Sequence, residues 1–304
     1  MLKPSTFSVV AFDSRNRDLG VAVESRFIAV GALVPWAKAN VGAIATQAWG
    51  NPSYGPNGLR MLEGGLSASE TLRRLIAEDA HPEVRQAAVV DANGNVAVHT
   101  GRECMEWAGH VTGVGYSCQG NILAGSKVLE SMAKAYEVTS GDLIDKLLEA
   151  LCAGQAAGGD RRGQQSAALL VVREKGGYGG LTDRYVDLRV DDHPRPIEEL
   201  KRVFKIYDMA MLSREDPRNL LKIDHDIALV LQSSLKKLDM YDGPINGVLD
   251  DTTKKALNEF INVNNFENKM REDGRIWQSI LDYIKDVAHK TQPQRSSRDA
   301  TKRF

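Results

Sequence analysis

Residues 6–26 read TFSVVAFDSRNRDLGVAVESR, and the fold of the whole chain turns on this stretch. Thr6, Ser8 and Val10 alternate with Phe7, Val9 and Ala11, the period of two that sends successive side chains to opposite faces of a strand. Residues 13–18 (DSRNRD) supply a polar turn, and residues 19–23 return as a strand containing Val21 and Val23. The result is a β-hairpin. It opens on a hydroxyl residue, Thr6, and comes back to an ionisable pair, Glu24 and Arg26. Such a pairing suits catalysis, and it is equally how an ordinary first hairpin looks.

The chain has 304 residues, enough for one large domain or two smaller ones. A formal net charge of −1 gives no argument for nucleic acid or an anionic membrane as partner. The end is locally basic: residues 290–304 hold Lys290, Arg295, Arg298, Lys302 and Arg303 against Asp299 alone, which reads as a disordered tail. No apolar run approaches the roughly 18–20 residues of a membrane span. The first residues lack the layout of a signal peptide, and Cys104, Cys118 and Cys152 form an odd, unclustered set. Both features lead to the expectation of a cytoplasmic protein with free thiols.

Downstream of the hairpin, residues 30–37 and 41–48 read as two nearly all-apolar strands, so both faces of their sheet should be covered. A loop, NPSYGP, leads into a short helix ended by Gly64 and Gly65. Ser67 and Glu70 have capping-box spacing and open a second helix to about residue 78. Residues 85–91 and 96–100 flank Asn93-Gly94, the signal of a type I′ hairpin turn. Helices are expected at 125–137 and 142–155, strands at 167–172 and 185–190, and a closing helix at 197–212. Strands joined by hairpins, rather than alternating with helices, imply antiparallel sheets with helices layered outside. A Rossmann or TIM arrangement is thereby excluded.

Residues 213–224 turn charged around Pro217 and read as a linker. Beyond it, Leu231 and Leu235, then Leu257 and Phe260, then Ile280 and Ile284 mark three helical stripes. The expected organisation is a domain over 1–212, a linker over 213–224, a small all-α three-helix domain over 225–289 and the tail over 290–304.

The motifs TFSVVAFD, LGVAVESRF, VGALVPWA, GAIATQAWGNPSYGPNGL, GYSCQGNILAG and GQAAGGDRRGQQSAALLVV, in this order, resemble a bacterial and archaeal family called domain of unknown function 1028. The resemblance runs nearly continuously from residue 6 to about residue 193. It implies the N-terminal-nucleophile (Ntn) hydrolase fold, an α+β four-layer αββα sandwich of two antiparallel sheets. Residues 231–260, through YDGPING, are similar to a peptidoglycan-binding-type domain. Without an export signal, docking or oligomer contacts are the more expected use of that domain, and peptidoglycan the less expected partner.

The resemblance implies that Thr6 is the nucleophile and its freed α-amino group the base, with Ser8 second because it shares the strand face. An α-amine suits the role because its reference pKa is about 7.7–8.0. Glu24 and Arg26 would orient the amine and bind a substrate carboxylate, and Asn51 would help hold an oxyanion. The alternative for Thr6 is the first residue of a buried strand, and for Asn51 an Asx turn before Pro52. Five residues precede Thr6, so the Ntn reading requires cleavage of the Ser5–Thr6 bond.

Asp160, Arg161 and Arg162 lie in GGDRRG, whose glycines and arginines suit an anion, with Gln165 and Ser166 following; a plain turn is the alternative. Gln119 and Asn121 either line the same cleft or are hydrogen-bonded core amides. No metal and no cofactor is assigned, since the six histidines show no HxxxH or HxH spacing and the cysteines no pair. Residues 120–127 approach a P-loop, but Ser126 and Lys127 stand in inverted order. Cys118 reads as a buried structural thiol.

Two expectations follow. One is a hydrolase of the C–N bond in a small polar amide, with a homodimer expected for a sandwich of this kind. The other is a non-catalytic ligand- or protein-binding module that keeps the fold and the cleft.

Overall fold

Strand β1 (Thr6–Asp13) and strand β2 (Asp18–Ser25) form the expected hairpin, in a computed structural model that describes residues 6–290. The five residues before Thr6 and residues 291–304 of the tail lie outside the described residues. Phe7 pairs with Glu24 and Ser8 with Val23, so Thr6 stands across from Ser25 rather than from Glu24. This register is the main correction to the sequence reading. Side chains opposite one another share a face. Thr6 and Ser25 therefore point one way, Phe7 and Glu24 the other.

The chain divides into two units, Met1–Phe204 and Lys205–Phe304. The first holds two antiparallel sheets. The larger has the order β10-β9-β2-β1-β8-β7, with β7 (Gly109–Gly113), β8 (Tyr116–Asn121), β9 (Ser166–Val172) and β10 (Arg184–Val190). The smaller has the order β3-β4-β5-β6, with β3 (Pro35–Lys38), β4 (Gly42–Ala48), β5 (Arg85–Asp91) and β6 (Val96–Thr100). Residues 30–32, expected as strand, form a 3-10 turn instead.

Apolar alternation along these strands assigns the layers. Val10, Val21, Val23 and Leu170 of the larger sheet pack with Ala43, Ala45, Ala88 and Val90 of the smaller. Ile44, Ala87 and Val89 face outward from the smaller sheet, against Leu62 of α1 (Tyr54–Glu63) and Leu72 and Leu75 of α2 (Ala68–Ala77). On the outer face of the larger sheet lie α3 (Lys127–Val138) and α4 (Leu143–Ala156). Helix α4 approaches β2 so closely that a Cβ on Gly20 would sit 2.8 Å from Leu147 Cδ1 and 3.0 Å from the Leu170 carbonyl oxygen. Leu147 is fully buried there, a side chain whose truncation to Ala costs about 2–5 kcal/mol.

The local signals hold in most places. Ser67 accepts from the Glu70 N–H at 3.2 Å and caps α2, while the Glu70 carboxylate turns to Arg73 and Arg74. The 92–95 turn differs from its expectation. Only Gly94 has positive φ (82°), which excludes type I′, and Asp91 holds the turn by accepting from the Asn93 and Asn95 N–H groups.

Helix α5 (Pro196–Met211) leads from the first unit into the second. The second unit has helices α6 (His225–Lys237), α7 (Asp251–Val263) and α8 (Gln278–Lys290) around Leu231, Leu235, Phe260, Ile280 and Ile284. It is not all-α. Part of the expected linker forms β11 (Leu220–Lys222), which pairs with β12 (Arg275–Trp277). Fully buried Gln232 fixes the loop before α7, accepting from the Asn246 and Gly247 N–H groups and donating to the Val248 carbonyl. Among the described residues, no helix is long and apolar enough to cross a membrane.

Candidate active site

Four polar residues line up across the end of the larger sheet. Asn121 on β8 pairs with Thr6 on β1, Thr6 stands opposite Ser25 on β2, and Ser25 pairs with Ser166 on β9. Thr6 Oγ1 donates to Ser25 Oγ at 3.1 Å, and Thr6 is only 2% exposed. It borders a cavity of about 260 Å3, with Phe27, Val30, Val34 and Trp49 among the walls and Thr46 and Gln47 among the polar lining.

Each wall has a traceable support. Ser166 Oγ donates to the Phe27 carbonyl at 2.5 Å and accepts from the Val30 N–H at 3.0 Å, which sets the 27–30 side. Asp160 accepts from the Arg26 N–H at 2.9 Å, and Arg26 Nη1 donates to the Gln164 carbonyl at 2.7 Å. The opposite wall follows Ala48, whose φ of 65° is left-handed, a conformation that costs a residue with a Cβ free energy. The chain bends there and presents Trp49, 43% exposed, to the cavity mouth. The Trp49 N–H donates to the Val84 carbonyl at 3.2 Å, and Arg85 Nη1 donates to the Trp49 carbonyl. Trp49 also borders a smaller cavity that includes Asn121, so it stands between two recesses.

Arg85 is in turn held by Asp79, a buried ion pair at 3.0 Å. Burial opposes ionisation of Asp79, but bonds from Arg85, Asn51, the His81 N–H and the Tyr54 hydroxyl outweigh it and hold the carboxyl below its usual range.

Below Thr6, polar side chains form a sealed network between the sheets. Ser8 Oγ donates to Gln47 Oε1 at 2.6 Å and accepts from Gln119 Nε2 at 2.6 Å. Gln47 Nε2 and Asn121 Nδ2 both donate to Gln86 Oε1, at 2.9 and 3.1 Å. Gln86 Nε2 donates to the Gly109 and Gly120 carbonyls at 3.0 and 2.9 Å. Ser8, Gln86 and Gln119 have no exposed surface, so Ser8 is placed to hold the sheets together rather than to meet a substrate.

Several expected site residues have other partners. Asn51 Nδ2 donates to Asp79 at 2.9 Å, and its Oδ1 accepts from the Ser53 N–H and hydroxyl, the Asx-turn arrangement. Both Asp160 oxygens are taken, by the Arg26 N–H and by the Arg162 backbone and guanidinium. Gln165 bonds Asp192, and Arg161 is exposed with its N–H on the Ile122 carbonyl. Through Asp160, the GGDRRG stretch thus braces the 26–30 wall.

Glu24 is fully buried on the helix side of β2, away from Thr6. Neither carboxyl oxygen meets a donor among the described residues, and the Gln165 N–H is taken by the Ser25 carbonyl. Burial, then the nearby Asp160 charge, push the carboxyl well above its usual range, with Arg162 and Arg26 only partly offsetting this. Cys118 is fully buried, and burial likewise raises its thiol.

Two residues were missed from sequence: Ser25, legible only once the register is known, and Trp49, a single aromatic in no pattern. Comparison with known proteins shows the same site-bearing segment to be a recognised unit. A family model described as a family of unknown function (DUF1028) matches residues 6–200. The chain belongs to this family. A crystal structure of a DUF1028 protein from Silicibacter pomeroyi is similar at 29% identity, covering 68% of this chain and 91% of that one, with a TM-score of 0.62. Anbu, an ancestral beta-subunit from Yersinia bercovieri, matches at 14% identity over 65% of this chain and 92% of its own, but its TM-score of 0.30 carries no argument. A second model, a putative peptidoglycan binding domain, matches residues 211–284. No curated protein matches the chain. In this DUF1028 protein, then, the family segment contains both sheets, the hydroxyl row and the cavity.

Proposed function

We propose that the first unit is an Ntn-hydrolase sandwich and that Thr6, once it begins the chain, hydrolyses the C–N bond of a small amide. The observation that carries this reading is the position of Thr6. Of the two hydroxyls on that face of β1, Ser8 is sealed in the amide network, whereas Thr6 borders the cavity.

In this reading Thr6 Oγ attacks the amide carbonyl carbon while its own α-amine accepts the hydroxyl proton. The carbonyl oxygen becomes an oxyanion in the tetrahedral intermediate. Collapse breaks the C–N bond, and the departing nitrogen takes the proton back from the α-amine. Water then attacks the resulting ester, restores the Thr6 hydroxyl and releases the carboxylic acid. Ser25 orients Thr6 Oγ through their hydrogen bond. Glu24 and Asn51 take no step, because one lies on the far side of the sheet and the other is engaged with Asp79.

The test is amine release from a panel of simple primary and secondary amides by protein starting at Thr6, beside the same protein carrying Thr6→Ala. Turnover confined to the Thr6 form supports the reading. Equal turnover by both rejects it.

A further inference from the structure

The cavity beside Thr6 has a chemical character that the hydrolase reading leaves open. Its walls include Phe27, Val30, Leu33, Val34, Trp49 and Pro52, and among the described residues no ionisable side chain borders it. Its polar lining is largely spoken for: Gln47 is locked into the inter-sheet network, and Thr46 Oγ1 bonds the Asn51 backbone. Of the arginines expected to receive a charged group, Arg26 bonds Gln164 and Arg162 bonds Asp160, and neither these two nor Arg161 is among the residues lining the cavity. A charge entering this space would shed water and meet no side-chain counter-charge among the described residues, which is unfavourable.

The size agrees with a compact group. Apolar cavities of about 150 Å3 take benzene, and this one is about 260 Å3. It has room for a phenyl ring or a branched aliphatic chain together with the carbonyl that must reach Thr6. The mouth is accessible, since Leu33 and Trp49 are 40% and 43% exposed.

We infer that this cavity binds the acyl side of the substrate through an uncharged, compact apolar group, and selects against acyl chains that end in a carboxylate. The inference rests on Thr6 being the reacting residue, but binding can be measured without turnover, so the two stand or fall separately. Phenylacetamide serves as the neutral probe and succinamate as the charged one, each titrated into full-length 15N-labelled protein and followed by NMR. Phenylacetamide should shift the Trp49 indole and the amides of Val30, Val34 and Ala48, with affinity at least about tenfold above that for succinamate. Leu33→Asp, at a half-exposed position that tolerates a charge, should weaken phenylacetamide binding by about tenfold or more, and Trp49→Ala should weaken it while leaving the rest of the spectrum in place. Equal or tighter binding of succinamate, or phenylacetamide shifts mapping away from these residues, would overturn the inference. A protein that binds phenylacetamide here yet cleaves no amide would contradict only the hydrolase reading.

Discussion

The Thr6 hydroxyl donates to the Ser25 hydroxyl at 3.1 Å, directly across the first hairpin. The first described residue of the chain is therefore oriented by the last residue of β2. Under the proposed chemistry Ser25 is a positioning residue. Ser25→Ala should lower kcat by about 10- to 100-fold and move KM much less, whereas Thr6→Ala should remove turnover. Steady-state kinetics separate the cases. A Ser25→Ala protein that melts earlier yet keeps its kcat would leave Ser25 a purely structural role.

Gln86 is the hub of the amide network, meeting Gln47, Asn121, Thr100 and two backbone carbonyls. Gln86→Leu removes every one of these partners inside a dry layer. A stranded polar group costs about 1–3 kcal/mol, and since Gln47, Asn121 and Thr100 keep other partners, a loss of at least about 3 kcal/mol is expected. Urea denaturation reads it directly. A loss below about 0.5 kcal/mol would show that water replaces the amide.

Glu24 should make the fold less stable as pH rises. Burial and the Asp160 charge raise its folded pKa, while the unfolded side chain ionises near pH ~4.3. Above that value the unfolded state binds fewer protons than the folded one, and stability falls until the folded pKa is passed. Glu24→Gln is therefore expected to raise the melting temperature at about pH 7 and to match wild type below about pH 4. A variant that melts lower at neutral pH would mean that Glu24 is ionised and paired.

Asp79 has the opposite sense. Although burial works against it, Arg85, Asn51, the His81 N–H and Tyr54 together depress its pKa, so its contribution is present above the unfolded value of about 3.9 and is lost as pH falls below it. Asp79→Ala strands Arg85 beneath the Trp49 carbonyl. Breaking a buried pair in this way costs about 3–5 kcal/mol. Chemical denaturation measures the loss, and a shifted Trp49 indole resonance should report the loosened wall. An unmoved Trp49 signal would separate the ion pair from the cavity.

Whereas residues 30–34 proved not to be strand, the hairpins, the all-apolar strand β4 and most helices were legible because alternation and capping residues act locally. Strands β7 and β8 were not. Their polar members Ser117, Gln119 and Asn121 face the inter-sheet network, so β8 is fully buried without an apolar pattern. The place of Thr6 at the start of the first strand was legible. Its partner was misread because a one-residue change of register swaps the faces of β2, placing Ser25 beside Thr6 and Glu24 behind it. The arginines of GGDRRG looked available for an anion. Arg162 turns to Asp160 two residues away, whereas the bonds of the Arg161 N–H to Ile122 and of the Arg26 N–H to Asp160 depend on a fold-back between distant segments that composition does not encode.

The central claim is that Thr6 acts as a chain terminus, and intact mass of the amide-hydrolysing protein tests it most directly. The account predicts that the active species has lost residues 1–5 and begins at Thr6. A homogeneous full-length chain that hydrolyses amides would contradict it.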